Sequence, residues 1–539
     1  MAWETLPTEL WLSICYYLSV EDILSLRRVG ERRLSPIYML TFRQCSKALF
    51  DVTRERGVWF DALNTHIIDK NIPVYRIKDK NAFSLSSAEL EGAILHALKV
   101  RANWTSSNPC ASRHTDLRTT PPDSRRYART YASYFIPGTD SRYLLTLTRL
   151  ELTPREYIIQ CWDLHRPNDS YIARYISHNL RGVQINSEPN HLVTLAITCN
   201  HVSNQGMVTL ACGINYSARD SDNAFQIHNV FETLGTALKL EGSTFFATDE
   251  SNRITAYSVD TGAVLYVLHV PLVHNDQTVF LEEHSCLSIQ LLGNFILTFC
   301  QQWTHLYALP QDELPAPSGD AHVPALDPIA SHRWPYRIDT LKTVAMHAHP
   351  LAGARTPYPP IHILLRFDSW YPWPVNILHL FVLAPNLAFA LGASGPQRGA
   401  EPPYLHAGGA PYVAAAVPSA LRIFTPADML LGRHGTALWL DAQTGAPSQA
   451  GDRGQRIAGA VLRAGPPPTR THAQPRHAVN LDVQGNDGGE GGAGPASVRA
   501  SLFHLQEDAE EWTRLALSDD EGIMAISCME GKVMVYDYT

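Results

Sequence analysis

The feature that most narrows the fold of this chain is a recurring unit of two short apolar runs joined by a polar turn. Residues 143–147 and 157–164 make one such pair, 244–248 and 254–262 a second, and 522–527 and 531–538 a third. Runs of roughly 4 to 8 residues bounded by Gly, Asp, Asn and Pro have the length of strands and are too short for helices. The second run closes on an aromatic residue and Asp, as in Trp162-Asp163 and Tyr536-Asp537, or on an equivalent. A sheet built from such runs is apolar on both faces, so copies have to stack on neighbours.

The unit resembles the blade of a β-propeller, and Cys161-Trp162-Asp163 looks like the closing Trp-Asp of WD-type repeats. At roughly 40 to 50 residues per blade, the chain from residue 127 onward has room for about six to eight blades. Residues 191–197, 286–291, 294–299 and 361–367 supply further strands. A pair of β-sandwiches is the alternative arrangement. The tract from Leu391 to Ser497 is rich in Ala, Gly and Pro; residues 435–441 read as a strand inside it, and 465–468 and 485–492 as disordered loops extruded from a blade. The Gly run there is no phosphate loop, because it lacks the following Lys-Ser/Thr and the strand-to-helix setting.

The amino end has a different texture. Leu10, Ile14 and Leu18 recur every four residues and fall on one helical face. Pro7 suits a first helical turn and Glu9 the positive end of the helix dipole. Asp22 can open a second short helix carrying Ile23, Leu24 and Leu26. Two helices this apolar and this short cannot cover themselves. A third, over residues 53–63, turns Val58, Trp59 and Leu63 inward, and a fourth begins at the serines near Leu85 and keeps Leu90, Ile94 and Leu98 in stride up to Trp104. Residues 106–124, with Pro121-Pro122, form a polar connector.

Leu6-Pro7-Thr8-Glu9-Leu10, then Ile14, Tyr17-Leu18, Asp22-Ile23-Leu24-Ser25-Leu26, and finally Cys45-Ser46-Lys47-Ala48-Leu49 with Trp59 resemble an F-box through its whole length. The following helix is similar to the stalk of fungal members of that family. The resemblance implies docking on the linker subunit of an SCF-type cullin-RING ubiquitin ligase, and through it on the cullin. It assigns that contact to Leu6, Pro7, Glu9, Leu10, Ile14, Leu18, Asp22, Ile23, Leu24 and Trp59. It leaves the rest of the chain to recruit a target protein. One departure from the family is an insertion, Val29 to Gln44, with the helix-breaking Pro36 in its middle. A Val codon begins with GT and a Gln codon can end with AG, so the stretch has the borders of an in-frame spliced segment. We read it as a retained intron, whose removal restores Leu26-Arg27-Arg28-Cys45-Ser46. A real insertion would be a loop outside the contact surface.

Composition excludes several other functions. Net charge is −8, with Lys plus Arg at 44 against Asp plus Glu at 52; nothing in it asks for nucleic acid. Nine cysteines, odd in number and without Cys-x-x-Cys, indicate neither a disulfide framework nor a zinc site, and fit a reducing compartment, cytoplasmic or nuclear. The apolar window 375–393 is interrupted by Asn376, His379, Pro385 and Asn386 and reads as buried strand and turn, with no membrane span. His347-Ala348-His349 has no acidic or cysteine partner nearby, Trp370 and Trp373 read as packing residues, and Asn103-Trp104-Thr105 is an incidental glycosylation match. No nucleophile elbow, zinc-protease or nucleotide motif occurs.

The expected fold is therefore α+β and multidomain: an all-α F-box over 1–64 with its insertion at 29–44, a helical linker over 65–126, and a large all-β propeller-like domain over 127–539. The expected function is a non-enzymatic, cofactor-free and metal-free adaptor, monomeric within its complex. The alternatives are a propeller that binds a ligand or catalyses a reaction unrelated to ubiquitination, and a decayed copy that no longer docks.

Overall fold

The computed structural model describes residues 7–29, 50–74, 82–120, 128–151, 154–166, 171–200, 206–271, 284–310, 323–346, 358–368, 375–386, 389, 401–407, 409–420, 428–442, 454–462, 496–498, 500–505 and 511–539. Most of Val29–Gln44, the stretch Cys45–Leu49, His347–His349, Trp370 with Trp373, and the two Gly/Pro-rich loops lie outside the described residues.

Seven antiparallel sheets follow one another along the chain. Blade 1 consists of Ala128–Phe135, Tyr143–Leu150, Glu156–Asp163 and Tyr171–Ser177, each strand hydrogen-bonded to the next from the inside outward. Blades 2 to 6 repeat the order over residues 180–233, 236–268, 286–333, 338–420 and 429–505. Blade 7 takes Trp512–Ser518, Ile523–Cys528 and Lys532–Asp537 from the carboxyl end. Its outermost strand is Arg113–Arg118, paired antiparallel from Arg113 opposite Asp537 to Arg118 opposite Lys532. The two ends of the all-β region thus share one sheet, and the first propeller strand lies inside the stretch assigned by sequence to the linker.

The ring is held by one apolar core per seam. Leu145, Ile159 and Cys161 of blade 1 meet Leu195, Ile197 and Cys212 of blade 2, and equivalent clusters fill every other junction round to blade 7, where Leu117, Ala525 and Val533 meet Leu144 and Trp162 of blade 1. Each fully buried aliphatic side chain there contributes about 1.5–3 kcal/mol relative to exposure. Polar bonds reinforce the closure: Thr513 Oγ1 donates to Thr130 O at 2.5 Å, and Ser527 Oγ to Ser133 Oγ at 3.0 Å. This is a seven-bladed β-propeller. Blades 3 and 5 each carry a fifth, parallel strand on the outer edge, Ala325–Leu326 and Ala496–Ser497.

Ahead of the ring, the described residues include the α-helices α1 (Thr8–Tyr16), α2 (Val20–Val29), α3 (Arg56–Leu63) and α4 (Ser87–Trp104). Trp59, Leu63, Ile67, Leu90 and Ile94 form the centre of a separate core. Ser86 and Glu89 cap α4 reciprocally, each side chain serving the other's backbone N–H. The far end of α4 belongs to the propeller: Val100 and Trp104 pack with Phe503, Trp512 and Tyr538 between blades 6 and 7. Asn103 is also engaged, its Nδ2 donating to Cys110 O at 2.8 Å and Tyr538 O at 3.3 Å.

Candidate functional site

The outward side of α1 is the most apolar exposed surface of the helical unit. Pro7 precedes the helix, and its carbonyl accepts from the N–H groups of Leu10 and Trp11 at 3.0 and 3.3 Å. Two stripes then run along the helix side by side. Trp11 and Cys15, with half-buried Leu18 one turn on, face the helical core. Leu10, Ile14 and Tyr17 are 49%, 40% and 84% exposed, and Tyr16, 50% exposed, meets Tyr17 edge-on at 5.2 Å. Positions i, i+4 and i+7 share a helical face, so the exposed residues make one continuous apolar strip.

The site residues expected from the sequence divide between that strip and the core. Pro7, Glu9, Leu10, Ile14 and Asp22 are exposed, while Leu18 and Leu24 are half-buried against the core. Ile23 is buried, and so is Trp59, whose indole N–H donates to Thr53 O at 2.8 Å. Leu6 lies outside the described residues. Leu18 leaves the Leu10/Ile14 face because α1 ends at Tyr16 and the chain turns there, Leu18 N–H bonding Cys15 O. Asp22 sits three residues inside the cap it was expected to form: Ser19 is the cap, its Oγ accepting from Asp22 N–H at 3.1 Å and donating to Asp22 Oδ2 at 2.8 Å. Sequence reasoning quoted Tyr17 in the F-box pattern but left it and Tyr16 out of the contact set, although Tyr17 stands seven residues beyond Leu10 and so was in phase with the strip.

A clamp fixes the strip's support from behind. Arg27 at the end of α2 reaches Glu91 Oε1 at 2.7 Å and Thr53 O at 2.8 Å, with its guanidinium 5.5 Å from the Trp59 ring. It therefore binds the segments on both sides of residues 30–49 to α4. His66 bonds Leu18 O at 3.0 Å, pinning the turn between α1 and α2.

Groups with reactive chemistry are dispersed. Among the described residues no set of three or more His, Cys, Asp or Glu is placed to hold a metal ion, and no helix is long and apolar enough to cross a membrane. The eight described cysteines are unbridged, and burial pushes the Cys212 thiol up to about 12 and Cys161 higher still.

No family model matches the chain, and no curated protein does. Among solved structures, it is similar to the β-propeller domain of Cps50 (Swd1) from Myceliophteria thermophila, at 10% identity and a TM-score of 0.42 over 80% of this chain and 99% of that one. It is also similar to the C-terminal WD40 domain of Sif2, at 8% identity and a TM-score of 0.36 over 76% of this chain and 81% of that one. The propeller assignment rests on the strand pairing of this chain.

Proposed function

We propose that this protein is a substrate-recruiting adaptor of a cullin-RING ubiquitin ligase: the α1 strip docks on the ligase linker subunit and the propeller carries a target protein. The observation that carries the proposal is the uncovered Leu10–Ile14–Tyr17 strip on a helix whose opposite side is anchored in a core. An apolar strip held rigid and left open is what a partner helix or groove requires, and the sequence around it resembles an F-box. The adaptor works by proximity: it raises the local concentration of a target lysine near a charged ubiquitin carrier, and no covalent step falls on this chain.

The test is capture of the full-length protein by purified linker subunit. The unaltered chain and a version lacking residues 29–44 are expected to bind, and Leu10→Asp with Ile14→Asp is expected to lose binding by more than about tenfold, because two desolvated apolar anchors are replaced by charges. Undiminished capture of the double variant would sink the proposal.

A further inference from the structure

On the face of the ring where the first and second strands of each blade are joined, a cleft of about 290 Å³ opens between blades 1 and 2. Its floor is apolar, with Ile136 and Ile214 both buried. One wall is Tyr216, whose ring stacks on Tyr143 at 4.2 Å. The other wall is the loop from Asn186 to Thr194, and it is held stiffly. Buried Asn186 donates to Val193 O at 2.8 Å and Gly242 O at 2.9 Å, while its Oδ1 accepts from Gly242 N at 2.9 Å and Glu188 N at 3.0 Å. The shape is preformed, as binding clefts usually are.

Among the described residues that line the cleft the one carboxylate is Glu188, an exposed side chain at the rim whose Oε2 lies close to Gly242 of the blade 3 turn. Among the described residues no ion pair or hydrogen bond reaches its carboxylate. Among the described residues no hydrogen bond or ion pair reaches the side chains of Gln226 and His228, also in the lining. An anion would meet a negative charge at this rim, whereas a lysine or arginine would bring its cation to Glu188 with its aliphatic stem along the apolar cleft.

Gln226 and His228 come from the outermost strand of blade 2, Phe225–Thr233. That strand runs out of the cleft with Ile227 and Val230 more than half exposed, and among the described residues nothing pairs with its outer edge. Blades 3 and 5 carry an added parallel strand at the corresponding edge, so the geometry of this ring accepts one. An open strand edge beside a side-chain pocket is the arrangement that takes an extended peptide.

We infer that the blade 1/2 cleft and the adjoining blade 2 edge bind an extended peptide segment through a lysine or arginine side chain seated on Glu188. This names the class of target for the adaptor proposed above and rests on that reading only for its biological meaning. The cleft opens on the same face as Arg433 and His434, the blade 6 turn that contacts Asn71 of the helical unit, so a bound segment would be held on the side of the ring from which the helices project.

The probe is a fluorescein-labelled short peptide of alternating threonine and valine with one central lysine, titrated into the full-length protein without any ligase subunit and read by anisotropy. Saturable binding is expected. Replacing the lysine by norleucine, or Glu188 by Gln, is expected to weaken it about tenfold, as loss of a charge-assisted contact does, and the Glu188→Gln chain is expected to treat the two peptides alike. Equal affinities of the lysine and norleucine peptides for the unaltered protein, no effect of Glu188→Gln, or no saturable binding of either peptide would overturn the inference. None of these results touches capture by the linker subunit, so the two proposals fail separately.

Discussion

The indole of Trp104, the last residue of α4, lies 5.2 Å from the ring of Tyr538 and 4.9 Å from that of Phe503. Ten residues earlier in the same helix, Ile94 is buried in the core of the helical unit. One continuous helix therefore carries a residue of each core, which makes it a strut and not a tether. Trp104→Ala empties the propeller end of that strut and is expected to cost about 3 kcal/mol. The measurement is the urea midpoint of the full chain, together with amide exchange over residues 100–112, which should lose protection in the variant. An unchanged midpoint would mean that the helix is not anchored there.

The two stripes of the amino-terminal helices make opposite stability predictions. Ile23 is buried and Leu10 is half exposed. Truncating Ile23 to Ala is expected to cost about 2–4 kcal/mol, and truncating Leu10 to Ala less than about 0.5 kcal/mol, since surface positions away from packed contacts are nearly neutral. Urea unfolding of both variants checks this. A large cost at Leu10 would place it in this molecule's own core and remove the reason to look for a partner on that strip.

The parts of the fold that were legible are those whose signal is local. Residues 143–150 and 156–163 are buried along most of their length because both faces of a blade are covered, and the apolar clusters this demands, Tyr143-Leu144-Leu145 and Tyr157-Ile158-Ile159, survive in the bare sequence. Arg113–Arg118 has no such signal: it is a polar edge strand, five of its six residues are at least partly exposed, and its partner lies more than 400 positions away, from Lys532 to Asp537. The helical stride at Leu10 and Ile14 was readable, but a period of four does not reveal which of two adjacent faces a short helix turns inward. Trp59 was read as turned inward and is buried, its indole spent on Thr53 O; only its place in the docking contact, which came from the resemblance and not from the helical pattern, does not match that burial. The cleft beside Glu188 was invisible for a further reason. Its walls come from segments of two blades, and only the packing of blade 1 on blade 2 brings them together.

Acid is expected to weaken the propeller through buried histidines. Burial, with a smaller contribution from His284, pushes His305 down to about 4, and burial alone pushes His362 down to about 4. Both rings are therefore neutral in the fold, while in the unfolded chain they take up protons near their usual 6.5. Between those values the unfolded state binds more protons, so stability is full above about pH 6.5 and falls as pH is lowered toward 4, by up to roughly 3 kcal/mol per ring. Thermal unfolding at pH 7.5, 6 and 5 reads the slope. His362→Leu, which removes one titrating ring and a buried Nδ1 that lacks a partner, is expected to flatten it. A parallel shift at every pH, with the slope kept, would rule out His362 as its source.

A second acid limb belongs to the Trp-Asp pair of blade 1. Trp162 donates its indole N–H to Thr146 Oγ1 at 2.9 Å, and Asp163 accepts from Arg142 through both carboxylate oxygens, at 3.0 and 2.8 Å, and from His165 N–H at 3.1 Å. Burial by itself would raise the Asp163 carboxyl, but the Arg142 bond, the His165 N–H and the charges of Arg142 and Arg166 outweigh it and hold the group below its usual value. A carboxyl lowered in this way stabilises the fold above its ordinary value near 3.8 and gives up that contribution as pH falls through the lower folded value. Asp163→Asn should thus cost about 1–3 kcal/mol at neutral pH, where charged hydrogen bonds to the carboxylate are lost, and less below about pH 4, where the unfolded chain's carboxyl takes up a proton before the native one does. Unfolding curves of the variant and the unaltered chain that stay equally far apart from pH 7 to pH 3 would show that the pair holds the blade by shape and not by charge.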